Sequence, residues 1–295
     1  MGQGPRSAAA AAVLLVLALA GPAAAQPEGG DRSGGAGARL TLARAGRDFL
    51  RDEGRIWSSP ARIRAKDIAP LLAVAATTTF LIAADERVRD SVQAYTEGHP
   101  WVGDAGPVIT HMGALGAWAT AGAFFGLGLI LEDERARDTG YLAACALTHS
   151  LIAANVLKGL SGRQRPSFVD GDDRWWGPIG VVKRHEEGLA DKYVSFPSGH
   201  TTNAFSLATV IALQYRHKTW VPVLAYAVAS AVGLSRMTMD RHWASDVFCG
   251  ALLGQAIARL VVHNFERRRR LVPIIACSRR GVSLTLLFDL DPAGL

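Results

Sequence analysis

Six apolar segments of helical length restrict this chain of 295 residues to an all-α architecture. The segments are rich in Ala and Leu, which favour helix, and they carry few charges. Most contain about 15 to 20 residues, close to the length that crosses the hydrocarbon core of a bilayer. We therefore predict a bundle of about six apolar helices, and we favour a membrane-embedded bundle over a tightly packed soluble one. In chain order the segments are residues 68–84, 107–131, 141–157, 198–215, 220–234 and 245–263.

The parts of the chain outside the bundle, which we place at residues 68–265, differ in character. Residues 1–25 combine an apolar run with Ala23-Ala24-Ala25, as a cleaved signal peptide does; an uncleaved anchor helix is the alternative. Residues 26–67 are typical of a Gly-rich linker followed by a surface or interfacial helix, broken at Pro60. Residues 266–295 form a basic segment and a C-terminal tail, whose partial alternation of apolar and polar residues predicts a short β-hairpin.

The composition favours some classes of binding partner and argues against others. A formal net charge of +6 suits an anionic substrate or an anionic membrane surface. Aromatic and basic residues do not interleave, so no nucleic-acid surface is predicted. The three cysteines lie far apart in apolar stretches, which argues against a disulfide framework or a zinc site.

The loop charges and the N-terminal signal predict opposite orientations in a membrane. Basic clusters lie on one side of the predicted bundle, before residue 68 and at residues 132–138, 216–218 and 266–270. The positive-inside rule makes this side cytoplasmic, so that the loops at 85–106, 161–197 and 235–242 face the exterior. A cleaved signal followed by six crossings would put those loops inside. Either the first segment does not fully cross, or the signal prediction is wrong, or the protein is a soluble exported bundle.

Lys158, Arg163 and Arg165 form a basic cluster at the end of the third apolar segment. Gly162 and Pro166 end the helix there and let the backbone turn. Clustered like charges are unfavourable unless an anion neutralises them, so the cluster predicts an anion site. A basic helix end that faces solvent or lipid headgroups is the alternative.

A second motif, Pro197-Ser198-Gly199-His200, opens the fourth apolar segment. Pro, Ser and Gly before an apolar run are typical of a helix start. The free N–H groups and the positive dipole end of a helix N-terminus bind anions. Taken alone, the motif favours an ordinary helix cap that happens to contain a histidine over an anion site.

A third motif places Arg236, Arg241, His242 and Asp246 between the fifth and sixth segments. If the sixth helix has begun by residue 242, His242 and Asp246 share one helix face. Asp246 can then accept the Nδ1–H of the imidazole and leave Nε2 free as a nucleophile or base. A helix-start salt bridge and a metal site are the alternatives, but the nearby cations repel a metal ion and attract a phosphate.

Taken together, the three motifs resemble the signature of the superfamily of type 2 phosphatidic acid phosphatases and vanadium haloperoxidases. Every signature position matches, and the resemblance covers roughly residues 150–262. It implies a helical bundle and a phosphatase mechanism that uses no metal and no other cofactor. In chain order the matching positions are Lys158, six residues, Arg165-Pro166; Pro197-Ser198-Gly199-His200; and Ser235-Arg236, five residues, His242, three residues, Asp246.

The resemblance also assigns a role to each catalytic position. His242 is expected to attack phosphorus and form a phosphohistidine, Asp246 to orient His242, and His200 to protonate the leaving group and then activate water. The phosphate oxygens are expected to bind Lys158, Arg165, Ser198, the N–H of Gly199, and Arg236. Arg163 and Arg241 fall outside the signature and rank second.

Several other polar or aromatic residues have simpler interpretations. We expect His111 and His149, which lie in apolar segments, to be buried packing residues or to bond between helices. Trp175 and Trp176 suit an interfacial anchor or a lid over the pocket.

The leading function is a phosphatase acting on a phospholipid or polyprenyl phosphate at the outer face of a cell membrane. A soluble periplasmic acid phosphatase for small phosphomonoesters, a vanadate-dependent haloperoxidase and a non-enzymatic anion-binding membrane protein are the alternatives. The sequence does not predict the oligomeric state.

Overall fold

The computed structural model describes residues 42–169, 174–270, 274–278 and 281–285 of the chain. The predicted signal peptide at residues 1–25 and the Gly-rich linker predicted after it lie outside these residues. The helices in the described ranges are α1 (Leu42–Trp57), α2 (Ala65–Gly98), α3 (Pro100–His111), α4 (Leu115–Ile130), α5 (Glu134–Ser161), α6 (Ile179–Glu186), α7 (Gly199–Gln214), α8 (Trp220–Thr238) and α9 (Ala244–Arg270), with 3-10 turns at Ser59–Arg62 and Pro166–Phe168. Strands β1 (Ile274–Ser278) and β2 (Gly281–Thr285) pair antiparallel in the tail, with Ile274 opposite Thr285. The predicted all-α bundle is confirmed.

Helix α7 lies at the centre of the bundle and packs against α5, α8 and α9. Apolar side chains such as Leu147, Val210 and Leu253 form the core between these helices. Helices α7 and α9 approach closely because α9 carries a glycine at the crossing. A Cβ on Gly254 would lie 2.2 Å from the carbonyl oxygen of Thr202. The contact sets the N-terminus of α7 beside the N-terminus of α9, where the Ser198 N–H donates to the Asp246 carbonyl at 3.1 Å.

Four of the described helices, α2, α5, α8 and α9, are long and apolar enough to cross a membrane. Helices α3 and α4 pass the same test as a pair bent by 44°. Large apolar side chains stay exposed on the outside of the bundle, among them Phe80 (70%), Ile130 (77%) and Val223 (67%). Exposed apolar surface of this kind marks a lipid-facing bundle rather than a soluble one, so the chain is a membrane protein.

Helix α1 docks at the end of the bundle that carries the C-terminus of α9. Arg268 donates two hydrogen bonds to the carboxylate of Asp52, at 2.8 and 3.0 Å, and Asn264 donates a third at 2.8 Å. Ile56 of α1 is buried in the core. Pro60 lies in the 3-10 turn that separates α1 from α2.

Several stretches differ from the predicted helix boundaries. Residues 85–98, expected to lie in a loop, continue α2 because they contain good helix formers and no glycine or proline before Gly98. Their charges end the apolar segment without ending the helix. The second apolar segment is split into α3 and α4 near Gly113, where a Cβ would lie 2.7 Å from the carbonyl oxygen of His200. The long loop after α5 contains the unpredicted short helix α6.

Candidate active site

The three predicted motifs meet at the end of the bundle opposite α1. The C-terminus of α5 supplies Lys158, the N-terminus of α7 supplies Ser198 and His200, and the link between α8 and α9 supplies His242. The turn after α5 depends on Gly162, which has φ 51° and where a Cβ would lie 2.1 Å from the carbonyl oxygen of Gly177. Only glycine fits there, and the turn carries the chain from Lys158 to the two arginines that follow.

His242 is buried, with 3% of its surface exposed, and its Nδ1 lies 3.5 Å from Asp246 Oδ2. This separation is longer than a usual hydrogen bond between a ring nitrogen and a carboxylate oxygen. Helix α9 begins at Ala244, so His242 precedes the helix instead of lying in its first turn. Asp246 still reaches it because the Trp243 N–H donates to Oδ2 at 2.9 Å and fixes the carboxylate at the helix start.

The surroundings of His242 keep its imidazole neutral. Burial lowers the pKa of His242 well below 6.5; Asp246 acts in the opposite direction, while Lys158 and Arg165 lower the pKa further. An imidazole with a lowered pKa is unprotonated at neutral pH and has a lone pair available on Nε2. A neutral imidazole of this kind is chemically suited to act as a nucleophile or as a base.

His200 lies in the first turn of α7, and its pKa falls to about 4. Burial is the largest cause, followed by the positive charges of Arg236, Lys158 and Arg165. An anion bound among these cations would cancel their effect and raise the pKa of His200 again. The arrangement couples anion binding to protonation of this histidine.

The cations of the pocket are held by separate partners. Arg236 is 5% exposed and donates from Nη1 to Thr110 Oγ1 of α3 at 2.7 Å. Lys158 donates from Nζ to the Val194 carbonyl at 2.5 Å. Arg165 lies 3.3 Å from a carboxylate oxygen of Asp191, and burial lowers the pKa of Arg165. These contacts hold three basic side chains close enough to His200 for their charges to act on it.

The start of α7 completes the pocket. Ser198 is fully buried and precedes the helix, and its Oγ lies 2.8 Å from Thr201 Oγ1. Lys158 Cε lies 3.7 Å from the position that a Cβ on Gly199 would take, so the amine side chain runs directly past this backbone. The free N–H groups of the first turn add a partial positive charge. The structure thus brings all eight sequence-predicted residues to one end of the bundle.

Arg163, which ranks second in the sequence prediction, belongs to the site, together with Asp85, Ser195 and Ser245, which the sequence motifs did not indicate. Arg163 is 1% exposed and lies 2.6 Å from both Asp85 and Asp246. Ser195 Oγ donates to Asp246 Oδ2 at 2.6 Å. The sequence feature that could have indicated this network is Asp85. It is a carboxylate at the end of an apolar segment, where an ionisable side chain requires a partner.

The remaining predictions for polar and aromatic residues have mixed outcomes. His149 packs as expected, stacked on Phe49 with its Nδ1 3.0 Å from Glu53 Oε1. His111 is exposed at the end of α3, so its predicted burial is wrong. Trp175 packs over Arg163 at 4.5 Å.

Part of this chain is similar to known phosphatases. Residues 139–270 match the model of the PAP2 superfamily. The chain is 49% identical over 67 residues to a lipid A 1-phosphatase of Porphyromonas gingivalis, a match that covers 22% of this chain and 15% of that protein. It is 29% identical to phosphatidylglycerophosphatase B of Bacillus subtilis over 208 residues, which are 68% of this chain and 92% of that protein. The crystal structure of a transmembrane PAP2 phosphatidylglycerolphosphate phosphatase from Bacillus subtilis aligns with a TM-score of 0.46 and 22% identity, covering 76% of this chain and 96% of that one.

Proposed function

We propose that this chain, a phosphoric ester hydrolase whose residues 139–270 belong to the PAP2 superfamily, hydrolyses a lipid phosphate or polyprenyl diphosphate through a phosphohistidine at His242. The observation that carries the proposal is the buried, neutral His242 beside Asp246 in a pocket of three fixed cations. A neutral imidazole supplies the nucleophile, and the cations supply the charge that a phosphoryl transition state requires.

In the first step, Nε2 of His242 attacks phosphorus as the bond to the ester oxygen breaks. The departing oxygen takes a proton from His200, whose protonated form is favoured once the phosphate has offset the charges of Arg236 and Lys158. The imidazole now carries a positive charge, which Asp246 stabilises from the Nδ1 side. Lys158, Arg165 and Arg236 bind the equatorial oxygens, with Ser198 and the Gly199 N–H.

In the second step, the now neutral His200 accepts a proton from water, and the resulting hydroxide attacks phosphorus. The P–N bond breaks, inorganic phosphate leaves, and His242 returns to its neutral form. The proton balance closes because His200 gives one proton to the leaving group and regains one from water.

A lipid substrate is supported by the position of the pocket in the bundle. The pocket lies at one end of helices whose outward-facing side chains are apolar. A lipid can therefore present its phosphate to the cations while its tails remain in the bilayer. The names of the relatives, which include a lipid A 1-phosphatase and a phosphatidylglycerophosphatase, agree with this substrate class.

We also propose that the active site faces the exterior or periplasm. The opposite end of the bundle carries the compact basic clusters, including Arg135, Arg137 and Lys218, and the positive-inside rule assigns that end to the cytoplasm. Helix α2, with 34 residues, extends from the α1 end to Asp85 at the site. If α2 is the first crossing, this orientation places the N-terminal end of α2 in the cytoplasm. A cleaved signal peptide at residues 1–25 would place that end outside, so the two proposals exclude each other.

The experiment that tests the function compares wild type, His242→Ala and His149→Ala on phosphatidic acid in detergent micelles with EDTA present. Wild type and His149→Ala are expected to release phosphate, and His242→Ala is expected to release none. His149 is the matched control because it is a buried histidine with a carboxylate partner, far from the pocket. Activity retained in His242→Ala overturns the mechanism, and activity abolished by EDTA revives the metal site. Peroxide-dependent halide oxidation with vanadate would instead favour the haloperoxidase.

A further inference from the structure

We propose that Asp85 and Arg163 are positioning residues of the catalytic pair His242 and Asp246. Asp85 would also keep a net negative charge on the buried group beside His242. The inference rests on the proposed role of His242 as the nucleophile. Asp85 belongs to α2, outside the residues that match the PAP2 model. The first long helix would therefore contribute to catalysis through a buried ion-pair network.

Arg163 bridges two carboxylates that come from different helices. Its Nη1 donates to Asp246 Oδ1 at 2.6 Å, and its Nη2 donates to Asp85 Oδ2 at 2.6 Å. The guanidinium also contacts two indole rings, 4.5 Å from the centroid of Trp175 and 5.3 Å from that of Trp243. Because Arg163 is only 1% exposed, its planar guanidinium is held away from solvent and keeps both carboxylates in fixed directions.

Asp85 also holds the start of the helix that carries Asp246. Its Oδ1 accepts a hydrogen bond from the Ser245 N–H at 3.0 Å, and its Oδ2 accepts one from Ser245 Oγ at 2.5 Å. Ser245 is the second residue of α9, so Asp85 places a negative charge at the positive end of the helix dipole. The same carboxylate thus fixes both Arg163 and the first turn of α9, one residue from Asp246.

The charges of this cluster give Asp85 a chemical role as well as a structural one. Asp246 and Arg163 alone would form a neutral pair, and the guanidinium would cancel much of the field of Asp246 at His242. With Asp85 included and both carboxylates ionised, the buried group carries a net charge of −1. This charge faces His242 while the imidazole becomes cationic on attack. Asp85 therefore allows Asp246 to be rigidly held by an arginine without losing its negative charge.

The test compares wild type with Asp85→Asn in detergent micelles, using p-nitrophenyl phosphate across pH. The amide keeps the size of the carboxylate and removes its charge. We expect kcat to fall about tenfold or more while KM changes by less than about threefold. Losses of this size are typical when a residue that orients a catalytic side chain is replaced. The acid limb of kcat/KM should move to lower pH, because loss of a negative charge disfavours protonation of His242. Lys158, Arg165 and Asp246, which also act on His242, are unchanged in this variant.

Asp52→Asn is the matched control. Asp52 is 3% exposed and pairs with Arg268 at 2.8 Å, so it too is a buried carboxylate on an arginine, but it lies at the other end of the bundle. This variant should lower Tm without changing kcat or the acid limb. If Asp85→Asn and Asp52→Asn both change only Tm, Asp85 is merely structural and the inference is overturned.

A double variant decides the charge argument even if Asp85→Asn is poorly folded. Arg163→Gln leaves two buried carboxylates unpaired, whereas Asp85→Asn combined with Arg163→Gln restores the net charge of −1. The loss of kcat in the double variant should be at least about tenfold smaller than the product of the two single losses. Multiplicative losses would contradict the inference. If wild type is active and Asp85→Asn has the same kcat and acid limb, this inference is wrong but the proposed function is not affected. If wild type itself is inactive, both are contradicted.

Discussion

Asp191 Oδ2 lies 3.3 Å from Nη1 of Arg165, one of the cations that we assign to the substrate phosphate. The same oxygen lies 3.4 Å from Nη1 of Arg241. Asp191 is half exposed, whereas Arg165 is mostly buried, so the carboxylate reaches the pocket from its open side. An incoming phosphate must therefore compete with Asp191 for Arg165.

This competition predicts that Asp191→Asn binds phosphate more tightly than wild type. The substitution removes a negative charge next to the phosphate oxygens and leaves Arg165 and Arg241 in place. We expect the inhibition constant of inorganic phosphate to fall about threefold or more, with a weaker effect at high salt. The measurement is inhibition of p-nitrophenyl phosphate hydrolysis by phosphate.

Glu187→Gln is the control for this variant. Glu187 is a carboxylate of the same loop region whose partners are Lys192, at 3.2 Å, and the hydroxyl of Tyr193, at 2.8 Å. Its removal should leave phosphate inhibition unchanged. Weaker inhibition in Asp191→Asn would mean that Asp191 positions Arg165 rather than competing with the ligand.

His200 should take up a proton when phosphate binds. In the free protein its pKa is about 4, lowered first by burial and then by Arg236, Lys158 and Arg165. A bound dianion offsets those charges, so the pKa must rise, and at a pH between the two values His200 changes from neutral to protonated. Nitrogen-15 NMR of labelled histidines, with and without phosphate, measures this shift. A titration curve unchanged by phosphate would contradict the assignment of His200 as general acid.

The proposed orientation predicts which end of the bundle is reachable from outside an intact cell. Glu186 of α6 lies at the site end and Lys218, after α7, at the other end, and both are exposed. In a chain whose native cysteines are replaced, Glu186→Cys should react with a membrane-impermeant maleimide. Lys218→Cys should react only after permeabilisation. The reverse pattern would assign the active site to the cytoplasm and favour export of the N-terminal region.

Much of the site could be predicted because its residues lie in short motifs at helix ends. The boundaries of the apolar segments can be recognised from the sequence. They are where Lys158, His200 and His242 lie. Helices of similar length packed side by side bring such ends together. The spacing of four residues also predicted that Asp246 lies beside the imidazole of His242. His242 nevertheless precedes the helix instead of lying in its first turn.

The supporting contacts could not be predicted because they join distant parts of the chain. Asp85 meets Arg163 across 78 positions, and Thr110 meets Arg236 across 126. No periodicity links such residues, since the pairing depends on which helices become neighbours. The break between α3 and α4 was missed for the same reason. It fits the close approach of Gly113 to His200, a contact that exists only in the folded bundle.

The most direct test of the account is capture of the phosphoenzyme. In His200→Ala, p-nitrophenyl phosphate should still phosphorylate His242, because this leaving group departs without a proton, but water is no longer activated. Rapid mixing should give a burst of one p-nitrophenolate per active site, and phosphorus-31 NMR and mass spectrometry should find an acid-labile, base-stable phosphate on residue 242. Adding His242→Ala should abolish both the burst and the adduct. Turnover by His200→Ala without any phosphorylated residue, or with the phosphate on another side chain, would contradict the central claim.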